Sequence, residues 1–255
     1  MKKLFILDGA IRPSKSAIIK YITEDLESNR ISGIFKGRII RKITTKQPSM
    51  DSNKYLDYSY KTISDFEREI SENDGRDWIT YGYAKRDYAI KKSTISDVLA
   101  RSENAFVIAR NIEAIKSIKH FCEDCISKEL KEYIKVVVVY VYTEQKTIIE
   151  CKELDAPTQM KHINESLKDF HRSVGSQDNI YNDIIVYTGD DDFLKQQFEN
   201  LLRKYGGVSD VVPRKCFFIH SYKDKQKADR HVSVLKGLEK DTGLNFVSLF
   251  NSYGA

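Results

Sequence analysis

The sequence predicts an α/β protein: a three-layer parallel sheet with helices on both faces and an inserted β-rich subdomain. Three observations lead there. Short apolar runs alternate with longer segments whose apolar residues recur at helical spacing, the pattern of strand–helix–strand units. The apolar runs are nearly continuous, as in "VVVVYVY" (136–142), which suits strands buried on both faces. One stretch breaks the alternation. "DWITYGYAKRDYAI" (77–90) is aromatic, alternating and interrupted by turn residues, so it predicts a hairpin.

Residues 3–8 read as a buried strand, and 15–27 as a helix with Ile18, Ile19, Ile22 and Leu26 on one face. "RIIRKITTK" (38–46) is rich enough in β-branched residues for a single strand. After a polar stretch, Ser64 with Glu67 three residues on predicts a capped helix start. Beyond the hairpin, "STISDVLARSE" predicts a helix, 105–111 a strand and "IEAIKSIKHFCEDC" a second helix. The strand at 136–142 is followed by a polar segment, then by the helix "TQMKHINESLKDFHRS". A strand over 182–189 and the helix "DDFLKQQFENLLRKYG", closed by Gly206, complete residues 1–206 as one domain. Composition shifts at Gly206-Gly207. Strands near 216–220 and 245–249 with a helix between them make one βαβ unit, too small to enclose a core. Residues 207–255 are therefore expected to be a C-terminal extension or the beginning of a second domain.

With 41% hydrophobic and 31% charged residues over 255 positions, the chain has the composition of a folded globular protein. Its net charge of +5 is spread among interleaved acids and bases, which favours anions modestly without marking a specific nucleic-acid groove. No apolar run is long enough to span a bilayer, and the first one stops at Asp8, too soon for a signal peptide. The expectation is a cytoplasmic protein without a membrane partner. Cys122 and Cys125 form a lone CxxC with His120 upstream, and Cys151 and Cys216 do not supply a second pair at zinc-site spacing. On a helix the two would share a face, in a structural role.

The chemistry-bearing motif lies at the start. In "LFILDGAIRPSKSAI" (4–18) an apolar strand leads through Gly9 to Lys15-Ser16 at a helix start. Phosphate-binding loops work this way: backbone N–H groups at a helix N-terminus converge on phosphate oxygens, a lysine reaches the outer phosphates, and a hydroxyl binds magnesium. The candidate phosphate loop comprises Gly9, Arg12, Ser14, Lys15 and Ser16, with Ser16 as the magnesium ligand. Ser14 stands where glycine is usual, and Pro13 removes one N–H donor.

The order of later segments resembles the guanylate kinase family over residues 1–206. "KITTKQPSMDSNKYLDYSYKTISDF" resembles its Thr-Thr-Arg-x-Pro-Arg segment and the Asp-Tyr that follows. "DWITYGYAKRDYAI" is similar to its Glu-Trp segment and tyrosine hairpin, and "AFVIARNIEAIKSIK" and "DIIVYTGDDDFLKQQFENLL" lie over later strand–helix pairs. The resemblance implies a monophosphate-binding insertion over 35–92 and a lid-like segment over 143–162. It implies that Tyr58 and Tyr88 hold a monophosphate, that Lys46 replaces one clamping arginine, and that Asp77 stands where a glutamate reads the base. Ser49 replaces the second clamping arginine, without charge. Ala109 and Asn111 stand where the family carries acids, and no arginine occurs between Arg110 and Arg172, the interval of the family's lid arginines.

Phosphoryl transfer rests on positioning and on neutralising developing charge, and loss of one such cation costs ~10³-fold or more in rate. The reading is therefore a degenerate guanylate-kinase-like module that binds a nucleotide, another phosphate-bearing ligand or a protein partner without efficient transfer. One alternative is an active kinase using Lys15 with ATP and Mg; another is a nucleotide-sensing domain of a bacterial defence or signalling protein. In the tail, "KCFFIHSYKDKQKADRHV" resembles the opening strand and helix of a TIR-like domain.

Overall fold

The computed structural model describes residues 2–9, 12–27, 37–48, 57–83, 85–102, 104–130, 133–143, 157–175, 179–206, 215–221 and 245–251. In chain order these form β1 (Lys2–Gly9), α1 (Arg12–Glu27), β2 (Gly37–Ile39), β3 (Lys42–Thr44), β4 (Tyr58–Tyr60) and α2 (Ile63–Ser71). Then come β5 (Trp78–Tyr83), β6 (Arg86–Lys91), α3 (Lys92–Arg101), β7 (Asn104–Ile108) and α4 (Ile112–His120). A π-helical turn (Phe121–Ile126) leads into α5 (Ser127–Leu130). The remainder is β8 (Ile134–Thr143), α6 (Pro157–Val174), β9 (Asp183–Tyr187), α7 (Asp191–Gly206), β10 (Lys215–Ser221) and β11 (Asn245–Asn251).

Five strands make the parallel sheet in the order β2-β7-β1-β8-β9. Alternation along each strand builds two cores. Leu4, Ile6, Val107, Val138 and Tyr140 face one side, with Ile95, Leu99, Ile115, Ile118 and Phe170 from the helices. Phe5, Leu7, Phe106, Val137 and Val139 face the other, with Ile18, Ile22, Leu194 and Phe198. The predicted three layers follow from this two-sided burial, which is why the strand sequences are almost uninterrupted in apolar residues.

The insertion forms a second sheet, β4-β3-β6-β5, in which β5 and β6 are the predicted antiparallel hairpin. The run 38–46 does not form one strand. The Ile40 N–H donates to the Phe106 carbonyl in the main sheet, whereas the Lys42 N–H donates to the Asp57 carbonyl in the second. A single β-prone run thus passes from one sheet to the other across Ile40 and Arg41. The hairpin turn holds Lys85 at φ 57°, a left-handed conformation costly for a β-carbon-bearing residue but tolerated by asparagine. Lys85→Asn is expected to raise stability by about 0.5 kcal/mol, seen as a higher urea midpoint at unchanged slope.

Three local expectations are corrected. The cap of α2 is Thr62, not Ser64: its hydroxyl accepts from the Asp65 N–H at 3.1 Å and donates to the Asp65 carboxylate at 2.7 Å. The strand expected over 105–111 ends at Ile108, because Asn111 caps α4 by accepting from the Ala114 N–H. Cys122 is buried while Cys125 is exposed. They lie in the π-helical turn, where bonding from i to i+5 adds backbone to each turn, so a three-residue step no longer returns to the same face.

In the tail, β10 and β11 pair in parallel, from Lys215 opposite Asn245 to Ser221 opposite Asn251. A parallel pair needs a crossover connection. The helix expected there falls outside the described residues, as do residues 144–156 of the lid-like segment, Ser49, Cys151 and the side chain of Cys216.

Candidate functional site

The site is built at the C-terminal ends of β1 and β7, where open parallel sheets bind ligands. β1 ends at Gly9 and α1 opens at Arg12, so two residues join strand to helix. A β-carbon on Gly9 would stand 2.6 Å from the Val141 carbonyl oxygen and 3.3 Å from Lys15 Nζ, and the residue sits at φ 156°. Glycine is required there by close approach to β8 and by the path of the lysine. Lys15 is only 1% exposed, and its ammonium donates to the Gly9 carbonyl oxygen, folding back onto the strand. Burial holds its pKa well below the lysine range; Arg110 and Lys42 push the same way, while Asp8 and Asp57 oppose.

Asp8 is buried beside it. Its carboxylate accepts from the Gly9 N–H at 2.6 Å and from the Tyr181 hydroxyl at 2.7 Å. Burial raises the Asp8 pKa, against the pull of Lys15, these two hydrogen bonds and Arg110.

β3 carries Lys42 into the same region at 2% exposure. Its Nζ donates to the Ile108 carbonyl at 2.6 Å and lies 4.6 Å from the centroid of the Tyr58 ring and 5.8 Å from that of Tyr88. Burial lowers its pKa to about 7; Asp57 opposes the shift, and Arg110 adds to it. Arg110, just beyond β7, stacks its guanidinium 5.1 Å over the Tyr83 ring. Burial disfavours its charge, but Tyr83, Tyr58, Tyr88 and Asp8 outweigh that and raise its pKa. Its Nε is buried without a hydrogen-bond acceptor. Lys15, Ser16, Asp57, Tyr58, Ile108 and Arg110 border one small cleft.

The structure brings together Gly9, Lys15 and Ser16 from the candidate phosphate loop with Tyr58 and Tyr88 from the insertion. The Tyr58 and Tyr88 rings are 6.2 Å apart, and Tyr88 stacks on Tyr81 at 5.3 Å. Lys46 lies just past β3, half-buried, with its N–H on the Thr44 hydroxyl, and its charge is felt by Lys42. Asp77 is placed differently. Both its carboxylate oxygens accept from Ser93, from the N–H at 2.9 Å and the hydroxyl at 2.6 Å, which anchors the start of α3. Arg12 and Ser14 belong to the first turn of α1, but their side chains lie outside the described residues. Ala109 is fully buried and Asn111 serves as a helix cap, so both positions have structural roles.

Asp8, Lys42, Asp57, Tyr83, Arg110 and Tyr181 were not among the residues singled out from sequence. A usable signal existed for Asp8 and Arg110, which stand at the C-terminal ends of predicted parallel strands. Lys42 gave none, because a lysine in a β-branched run reads as solvent-facing.

Lys42 also sets a pH dependence. Its folded pKa, about 7, lies below the unfolded value of 10.5, so its contribution is fully present above 10.5 and lost as pH falls toward 7. Tyr81, Tyr88, Tyr140 and Tyr181, whose pKa values burial raises, have the opposite sign and act above pH 10. Urea midpoints of the unliganded protein should therefore rise from pH 7 to 9, and Lys42→Met should flatten that slope.

No family model and no curated relative matches the chain. Among solved structures, guanylate kinase from Anaplasma phagocytophilum superposes with a TM-score of 0.51 at 12% identity, covering 83% of this chain and 88% of that one. The likeness is one of fold: a five-stranded parallel sheet between helices. Dephospho-CoA kinase from Campylobacter jejuni is 14% identical over 79% of this chain and 97% of its own, but at a TM-score of 0.29 carries no weight. Among the described residues no helix is long and apolar enough to cross a membrane.

Proposed function

We propose that this chain is a degenerate guanylate-kinase-like module that binds a nucleotide or another phosphate-bearing ligand and does not transfer phosphate efficiently. The observation that carries this reading is the position of Lys15. A lysine serving outer phosphates must present a charged ammonium to them; here it is buried on the Gly9 carbonyl, in surroundings that disfavour its charge. The helical cap at Asn111 and the buried Ala109 add to it, since neither position offers a carboxylate.

The second reading is an active kinase using ATP and Mg. It draws on Lys15 and Ser16 bordering the same cleft as Tyr58, so that swinging Lys15 outward would reassemble a transfer site. Calorimetric titration with GMP, GDP and ATP–Mg, paired with a coupled kinase assay, separates the two. The module reading expects GMP or GDP to bind with no turnover above background. Turnover with GMP that Lys15→Ala abolishes would establish the kinase instead. Failure of every phosphate ligand to bind would remove both readings.

A further inference from the structure

Lys15 and Arg110 both border the cleft. Lys15 is turned onto Gly9. Arg110, beside Tyr58, is not tied back in this way. Lys42 is tied to the Ile108 carbonyl, and Ile108 and Arg110 together border the cleft. Tyr83 covers one face of the Arg110 guanidinium, and the rings of Tyr58 and Tyr88 flank the Lys42 ammonium. Such stacking holds a cation in place while leaving N–H donors in the guanidinium plane for an oxyanion.

The Nε of Arg110 is the second observation. It is buried, belongs to a group that stays charged at all ordinary pH, and has no acceptor. Buried donors in native proteins are almost always paired, so an orphan beside a cleft marks the place of a missing acceptor. An Arg side chain offers Nε and one Nη as a fork that matches two oxygens of a phosphate.

We infer that Arg110 is the anchoring residue for the terminal phosphate of a phosphate monoester, bound in the cleft beside Tyr58. This rests on the phosphate-binding reading above and assigns that site a residue which the family resemblance does not supply. A monoester offers the Arg110 fork three terminal oxygens and up to two negative charges, a carboxylate two oxygens and one charge.

The experiment uses the full chain, with inorganic phosphate, phenyl phosphate, GMP and benzoate titrated by calorimetry and by thermal shift. Phenyl phosphate and GMP are expected to bind more tightly than inorganic phosphate, and benzoate at least tenfold more weakly than phenyl phosphate. Arg110→Gln should weaken the monoesters about 10- to 100-fold, the range for losing a charged hydrogen bond. Lys116→Met, at an exposed position of α4, should leave affinity unchanged. Arg110→Met should also raise the melting temperature of the unliganded protein, since it removes a buried orphan donor, while abolishing the rise that phenyl phosphate produces. A purely structural arginine would lower it. Monoester binding that survives Arg110→Gln within twofold would overturn the assignment while leaving the phosphate-binding reading intact. Absence of binding by any phosphate would remove both.

Discussion

Gly9→Ala is expected to lower the unfolding free energy by about 3 kcal/mol, the upper range for overpacking a tight site. The added carbon would meet the Val141 carbonyl oxygen at 2.6 Å, an atom of the main chain that cannot rotate away. Gly9 and Val141 are register partners across β1 and β8, the pair with the most extensive contact in the sheet, so relief would have to bend a central strand. The backbone at φ 156° adds strain for any residue with a β-carbon. The same carbon would stand 3.3 Å from Lys15 Nζ and displace its bond to the Gly9 carbonyl. For a domain of this size the loss corresponds to a melting temperature lower by about 6–12 °C, measurable by calorimetry. A change below about 2 °C would mean that β8 yields easily, against the two-sided packing seen here.

Asp8→Ala should cost a similar amount, about 3 kcal/mol, for a different reason. Its carboxylate accepts from the Gly9 N–H and the Tyr181 hydroxyl, both buried. Removing the acceptor orphans two donors, each costing about 1–3 kcal/mol, and withdraws a negative charge that favours the charged forms of Lys15 and Arg110. Asp8→Asn separates the two contributions. Burial already pushes Asp8 toward its neutral form, and the amide keeps one of the two acceptor oxygens, so it should cost about half as much. Urea unfolding of both variants at pH 7 decides. Equal losses would show that the negative charge, rather than the acceptors, holds the cluster.

Both sites depend on groups that meet only in three dimensions, and this divides what could be read early from what could not. The alternation of apolar strands with amphipathic helices, and the tyrosine-rich hairpin, were legible because burial writes a period of two or 3.6 residues into the chain. So was the strand–glycine–lysine–serine start, where local geometry imposes residue type. The crossing of 38–46 from one sheet to another was not, because both halves satisfy the same β propensity and only their hydrogen-bond partners differ. The π-helical turn that parts Cys122 from Cys125 likewise leaves no trace in apolar spacing.

By itself, the sequence determined the layered α/β architecture, the inserted hairpin subdomain and the presence of a phosphate-loop-like start with its tyrosines. Tertiary structure decided where the charges go. It turned Lys15 inward, assigned Asp77 to the start of α3, and drew Lys42 and Arg110 from β3 and the end of β7 under the tyrosine rings. Patterns of burial are local and repeat along a chain. The electrostatics of a site depend on distances between residues far apart in sequence, and on how much water the fold leaves around them.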